Sequence, residues 1–372
     1  MCNKIVHIVL GKANPERLNG VNKVVHFLAE SQFNIGYQVE LWGISFSDSH
    51  NYPGRNFKTI LFKDNKSKFR IDKNLKEQIS KQDENTIFHF HGGFIPQFYS
   101  ISRILNRKNL KYILTPHGAY NIIALEKSKL RKKIYITLFE KKLVRDAFKL
   151  HLIGKSEITG VNLIFGNKDY YLLQNGQNVC KATNINKNKK FIIGYCGRYD
   201  LKTKGLDRLI HAFNIFSDKY PNSELHLYGG GSDEERIKSI VNKANLEDKI
   251  KIHGPIYHQE KIIAFGSFNL FCLFSRNEGM PGVVLEALST GTPCLVSNET
   301  NLKDYFGNSK IARSINCKSN THVVNELAKY YEYLENNYFI ETVIQCKTLI
   351  KENFNWNKIA IEHIKNYEEK SS

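Results

Sequence analysis

Two carboxylates, Glu278 and Glu286, stand with seven residues between them in Arg276-Asn-Glu-Gly-Met-Pro-Gly-Val-Val-Leu-Glu-Ala-Leu288. Gly279, Met280, Pro281 and Gly282 interrupt the chain after the first, and a helix-forming stretch follows. Pro281 suits the first helical position, where its missing N–H has no partner to lose. The helix start expected there aims free backbone N–H groups at an anion, and its dipole favours negative charge. Glu286 falls about one turn into that helix, and Glu278 lies on the loop before it. Carboxylates in those places accept hydrogen bonds from hydroxyl pairs, as a sugar and a ribose on either side of a diphosphate would offer. The plainer alternative is a solvated helix start with favourable acidic residues.

A second segment, Cys196-Gly-Arg198-Tyr-Asp-Leu-Lys-Thr-Lys204-Gly205, follows an apolar run. Arg198 offers a planar fork to phosphate oxygens and Lys204 a mobile point charge, a clamp for a diphosphate leaving group. Basic loop residues taken singly are mostly just solvated. Gly229-Gly-Gly231 has the look of a phosphate loop but lacks Gly-Lys-Ser/Thr at the required distance, so a tight strand-to-helix turn accounts for it. His89 and His91 alternate on one strand and share a face, yet no third metal ligand stands out in the sequence.

These residues need a scaffold. Ile5–Leu10, Val39–Trp42, Ile87–Phe90, Tyr112–Thr115 and Leu150–Ile153 read as buried strands, with a helical pattern over residues 21–28. After the turn pair Asn175-Gly176 comes a polar stretch, and Phe191 opens a second series with strands at Leu225–Tyr228, Ile250–His253, Leu270–Leu273 and Cys294–Val296. The alternation predicts an α/β protein of two Rossmann-like doubly wound domains facing a cleft. The boundaries expected are 1–180, a linker at 181–190, a second domain at 191–352, and a final helix over 353–372 packing back on the first domain. Ligands in such sheets bind beyond the carboxyl ends of the strands, where the Arg198 and Lys204 loop falls.

The chain has 372 residues, 41% hydrophobic and 24% charged, a globular composition with room for two cores. No apolar run approaches membrane-spanning length, and the opening segment is too short for a signal peptide. The seven cysteines are scattered without metal or disulfide spacing, which predicts reduced thiols in a cytoplasm. A formal charge of +18 implies an acidic partner. No nucleic-acid motif is present, which leaves a phosphorylated substrate or an anionic membrane. The stretch from Lys127 to Lys149 interleaves basic and apolar residues; as an amphipathic helix it would lie on lipid, or equally cover a domain surface.

Arg198, Lys204, the two glutamates and Ser289-Thr-Gly291-Thr-Pro293 resemble glycosyltransferase family 4, the large retaining group with the GT-B fold. The likeness runs along nearly the whole chain, through Leu18-Asn-Gly20-Val, His89-Phe-His91-Gly-Gly, Thr115-Pro-His117-Gly118, Lys155-Ser-Glu157, Leu173-Gln-Asn-Gly176 and Phe354-Asn-Trp356 to Tyr367. It implies that Arg198 and Lys204 bind the donor diphosphate and stabilise its charge as the glycosidic bond breaks. Glu278, with the backbone from Gly279 through Met280 and Pro281 to Gly282, would bind the transferred sugar, and Glu286 the ribose. His117 would lie against the donor sugar, its plainer alternative being a buried histidine at a strand end. Gly20 would let backbone approach the phosphates, and the backbone at His253, Gly254 and Ile256 would meet the base. His89 and His91 would line the acceptor side or hold the loop. Asn19 departs from the pattern, standing where the family often has a second glycine.

The resemblance thus implies a metal-independent retaining transferase that needs no cofactor; the chain has no Asp-x-Asp triplet. It would move sugar from a UDP-linked hexose or N-acetylhexosamine to a glycan acceptor. A polyprenyl-diphosphate-linked intermediate of surface polysaccharide (capsule or O-antigen) fits both the charge and the family. A nucleotide-sugar epimerase and a non-enzymatic module for anionic glycolipid stand as the alternatives. Nucleic acid is not an expected partner, and a cytoplasmic location on the inner face of the membrane is.

Overall fold

The structure is a computed structural model and describes residues 3–16, 20–47, 49, 54–65, 67–126, 129–181, 190–335 and 339–369. Parallel strands covered on both faces have no polar side to show, so their sequences run apolar without a break. This is what β4 (Thr86–His91) displays, buried at every residue. Seven strands form the sheet of the first unit: β1 (Lys4–Leu10), β2 (Gln38–Ser45), β3 (Lys58–Lys63), β4, β5 (Tyr112–Thr115), β6 (Lys149–Leu152) and β7 (Tyr170–Leu172). Their order is β3-β2-β1-β4-β5-β6-β7, and the pairings are parallel. Along β1 successive residues serve opposite cores: Val6 and Ile8 pack with Trp42 and Phe88 on one side, Ile5 and Val9 with Leu41 and Ile87 on the other.

The second unit repeats the plan with β8 (Phe191–Cys196), β9 (Ser223–Tyr228), β10 (Ile250–His253), β11 (Leu270–Leu273), β12 (Cys294–Ser297) and β13 (Ala312–Ile315). Their order is β10-β9-β8-β11-β12-β13, again parallel. In each sheet the strand order reverses beside the first strand of the unit, between β1 and β4 and between β8 and β11. Loops leaving neighbouring carboxyl ends part company there, and the crevice between them receives ligands.

The units are Met1–Gly176 with Trp356–Ser372, and Gln177–Asn355. The chain therefore changes unit at Gly176 rather than at 180, and returns at Trp356 rather than 353. The indole of Trp356 sits so close to Gly176 that a Cβ there would lie 2.3 Å from it. Most of the expected linker, 182–189, lies outside the described residues. The helix Trp356–Glu368 packs against the helix Gly20–Asn34, and its Ile364 and Tyr367 enter the first unit's core.

Three strands escape the sequence reading: β3, β7 and β13. All are sheet edges, partly exposed, and lack the continuous apolar run of a central strand. The basic stretch near Lys127 also differs from a single amphipathic helix. It is a helix Lys129–Tyr135, a π-helical turn Ile136–Glu140 and a helix Lys141–Asp146, with Lys149 already in β6. The turn swings Glu140 inward, where its Oε1 accepts from Phe94 N–H at 2.8 Å and Tyr120 O–H at 2.6 Å. Burial pushes this carboxyl up to about 7. Residues 127 and 128 lie outside the described residues. Among the described residues six cysteines are free, and no helix is long and apolar enough to cross a membrane.

Candidate functional site

In the second unit the chemistry gathers at the β8–β11 reversal. Asp200 caps the short helix Leu201–Lys204 by accepting from Thr203 N–H at 3.0 Å, and Lys204 ends it. Gly205 then turns left-handed at φ 65°, and a Cβ on it would stand 2.0 Å from the Phe274 carbonyl oxygen. Only glycine lets the β8 loop lie this close to the β11 loop. The consequence is an ion pair: Lys204 Nζ lies 2.6 Å from Glu278 Oε1, which also accepts from Ser275 O–H at 2.8 Å. Asn301 Nδ2 holds the loop from behind through the carbonyls of Glu278 and Gly279, at 2.9 and 2.8 Å. Arg276 adds a second tie, reaching Asp207 at the start of the helix Leu206–Lys219 with its two terminal guanidinium nitrogens at 2.8 and 2.6 Å.

Arg198 is placed differently. Its guanidinium is mostly exposed and pairs with Asp200 at 3.0 Å, a different partner from that of Lys204. Tyr195 O–H donates to the Arg198 carbonyl at 2.9 Å. Burial, and then the Glu278 charge, push that phenol well above its ordinary value. Tyr195 thus lies under the Arg198 turn, a supporting role that the sequence did not announce.

Pro281 is the residue before the helix Gly282–Thr290 and not its first helical residue. The shift by one is within the ordinary fraying of helix ends, since the missing N–H is harmless at either place. Pro281 makes no side-chain cap, and Val284 N–H bonds the Pro281 carbonyl at 3.1 Å, which leaves the N–H groups of Gly282 and Val283 as the ones that can meet an anion. Met280 and Pro281 are buried beneath the loop, whereas Gly282 is exposed. Glu286 meets a cation that had no sequence signal: Lys261 Nζ, on the helix His258–Ser267, ion-pairs with Glu286 Oε2. Burial works to lower the Lys261 ammonium, and the Glu286 charge more than offsets it.

At the end of β10 the His253 ring stacks on Tyr228 with centroids 4.2 Å apart. The His253 carbonyl accepts from Tyr199 O–H at 2.8 Å and the Gly254 carbonyl from Gly229 N–H at 3.2 Å. These two carbonyls thus tie the end of β10 to its neighbours, and Ile256 is half-buried just beyond them.

In the first unit, Gly20 is exposed at the start of its helix with open space around it, and Asn19 lies outside the described residues. His117 follows β5 with the rare left-handed φ of 52°, and Gly118 continues at 84°. The buried Glu157 braces this turn, accepting from Gly118 N–H at 2.6 Å and Ile153 N–H at 3.1 Å. Gly160 on the same helix permits it, because a Cβ there would strike the Tyr120 carbonyl at 1.8 Å. His117 is partly exposed at the end of the strand, and its Nε2 meets His91 Nδ1 at 3.1 Å.

His89 is wholly buried, between Thr115 Oγ1 at 2.6 Å and the Tyr367 hydroxyl at 2.7 Å. The third imidazole absent from the sequence reading is His7 on β1, whose Nδ1 lies 2.9 Å from His91 Nε2. His7, His89 and His91 bring nitrogens within 4.8 Å of one another, a spacing a metal ion could use. All six ring nitrogens, however, already have hydrogen-bond partners within the protein.

Residues 179–352 match the family model of glycosyl transferases group 1. An uncharacterized glycosyltransferase of Haemophilus influenzae is 25% identical over 236 residues, 63% of this chain and 62% of that protein. A lipopolysaccharide 1,6-galactosyltransferase of Escherichia coli is 29% identical over 144 residues, 38% of this chain and 37% of its own length. The chain thus spans less than two thirds of either relative. Anabaena HepE, solved in complex with UDP and glucose, superposes with a TM-score of 0.70 at 12% identity, covering 98% of this chain and 99% of that one. The fold is GT-B. With the family match, it supports a GT-B glycosyltransferase. On the GT-B frame Lys204, Glu278, Lys261 and Glu286 all fall inside the matched residues, while His7, His89, His91 and His117 belong to the first unit.

Proposed function

We propose that this protein is a retaining, metal-independent glycosyltransferase that moves a hexose or N-acetylhexosamine from a UDP-sugar to a glycan acceptor. The observation that carries the reading is the Lys204–Glu278 pair at the β8–β11 reversal, inside the segment that matches glycosyl transferases group 1. In the reaction the bond from sugar C1 to the UDP oxygen breaks and its electrons stay on the phosphate. The acceptor hydroxyl oxygen bonds to C1 on the same face, and a phosphate oxygen takes the hydroxyl proton. Negative charge grows on the departing diphosphate, so Lys204 and Arg198 act most strongly in the transition state. Glu278 accepts from hydroxyls of the sugar and Glu286 from the ribose. Lys261 holds the Glu286 carboxylate in place until then.

A UDP-linked donor is supported by the ligands of HepE, and a bacterial surface glycan by the lipopolysaccharide activity of the Escherichia coli relative. We assign the acceptor to a polyprenyl-diphosphate-linked intermediate presented at an anionic membrane. Leu130, Ile134 and Leu138 support this: they are 73, 54 and 58% exposed at four-residue spacing, among Arg131, Lys132, Lys133, Lys141 and Lys142.

The test is turnover of a panel of UDP-sugars with a lipid-linked sugar acceptor. Release of UDP that depends on the acceptor, with the anomeric configuration kept, is the expected result. Conversion of the donor alone into an epimer would replace the reading with an epimerase. Full turnover by Lys204→Ala would remove the site assignment.

A further inference from the structure

Nine groups of the first unit form one continuous hydrogen-bond chain, and its direction is fixed from one end. The Leu173 carbonyl can only accept, so His151 Nε2, 2.8 Å away, carries the proton. A neutral imidazole has one donor and one acceptor, so His151 Nδ1 accepts, and Thr115 O–H must donate to it at 2.8 Å. With its proton spent, Thr115 Oγ1 accepts from His89 Nε2–H at 2.6 Å. His89 Nδ1 in turn accepts from Tyr367 O–H at 2.7 Å, and the Tyr367 oxygen accepts from the Gln32 amide nitrogen at 3.2 Å. The Gln32 amide is thereby oriented, and its Oε1 accepts from His7 Nε2–H at 2.7 Å. His7 Nδ1 accepts from His91 Nε2–H at 2.9 Å, and His91 Nδ1 from His117 Nε2–H at 3.1 Å. Along this path every donor points inward. The one atom left over is His117 Nδ1, at the partly exposed end, with no hydrogen-bond partner among the described residues.

We infer that this chain is a tautomer lock. It holds the His117 imidazole with its proton on Nε2, so that Nδ1 is presented as a hydrogen-bond acceptor for a carbohydrate hydroxyl at the carboxyl end of β5. The hydroxyl as ligand rests on the transferase reading; the lock itself does not. Neutrality of the relay follows from its surroundings. Burial holds His7 and His151 down at about 4, His117 at about 3, and His89 and His91 well below the ordinary value. Gln32, Tyr367 and His7 are then positioning residues that act through His117, and Tyr367 makes the final helix part of the device.

Nitrogen-15 NMR of imidazole-labelled protein at neutral pH tests the lock without any turnover. The expected result is a single neutral tautomer for His7, His91 and His117, each protonated on Nε2. A proton on His117 Nδ1, or averaging between tautomers as in a free imidazole, would overturn it. Gln32→Leu removes the acceptor that orients His7, and is expected to give His117 mixed tautomers and a kcat lowered by at least about tenfold, with KM nearly unchanged. A single His117 tautomer in Gln32→Leu would also overturn the lock. Adding UDP-glucose or UDP-N-acetylglucosamine should move the His117 Nδ1 resonance and leave His151 still. A fixed tautomer whose Nδ1 ignores these sugars would keep the lock and remove the hydroxyl. Absence of turnover with every donor would count against the transferase reading alone.

Discussion

Lys204 and Glu278 lie 74 positions apart in sequence and 2.6 Å apart in space, their side chains 21 and 12% exposed. A pair this shielded is held together by the loops on which it sits, and separating it leaves a poorly solvated charge. Lys204→Ala should abolish turnover and lower stability by about 2 kcal/mol. Adding Glu278→Gln to it should restore most of that stability and none of the activity, as read by urea unfolding and UDP release.

Gly205→Ala tests the device that brings those loops together. The Cβ would meet the Phe274 carbonyl at 2.0 Å, in a left-handed conformation that alanine resists. A loss of about 2 kcal/mol or more is expected, accompanied by loss of UDP protection in thermal melts.

Lys261→Met removes the cation that steadies Glu286 and, like Lys204→Ala, should lower stability by leaving a shielded carboxylate without that partner. The expected outcome is a several-fold weaker UDP affinity by calorimetry, with the affinity for free glucose unaltered.

The histidine cluster predicts acid sensitivity. For His7, His151 and His117 the folded values of about 4, 4 and 3 lie below the unfolded value of 6.5. Protons therefore bind the unfolded state first, and stability present above pH 6.5 is lost as pH falls toward 4. His7 alone accounts for on the order of 3 kcal/mol. Glu140 and Glu157, raised to about 7 by burial, act in the opposite sense, but the larger combined shift of His7, His151 and His117 outweighs them, and His89, His91 and His363 are shifted the same way. Both tryptophans, Trp42 and Trp356, lie in the first unit, so their fluorescence during urea unfolding reports this unit directly.

Membrane contact through the basic stretch is checked by sedimentation with phosphatidylglycerol vesicles. Leu138→Glu should weaken binding several-fold while leaving turnover of a soluble acceptor intact, because Leu138 is more than half exposed. Raised salt should weaken the wild-type interaction as well.

The sequence by itself determined the central strands, the doubly wound plan and the residues at the carboxyl ends. Continuous apolar runs and turn glycines are local signals, and both faces of a parallel sheet demand them. It also singled out Glu278, Glu286, Arg198 and Lys204, because their loops adjoin such runs. Tertiary structure alone decided who meets whom. Lys261 finds Glu286 from a separate helix, His7 joins His91 across two strands, and Tyr367 reaches His89 from the last helix. It also decided the edge strands β3, β7 and β13, whose partial exposure erases the apolar pattern. The reason is common to all of these: a contact between distant segments leaves no periodicity in either one, whereas burial of a whole strand is written along its length.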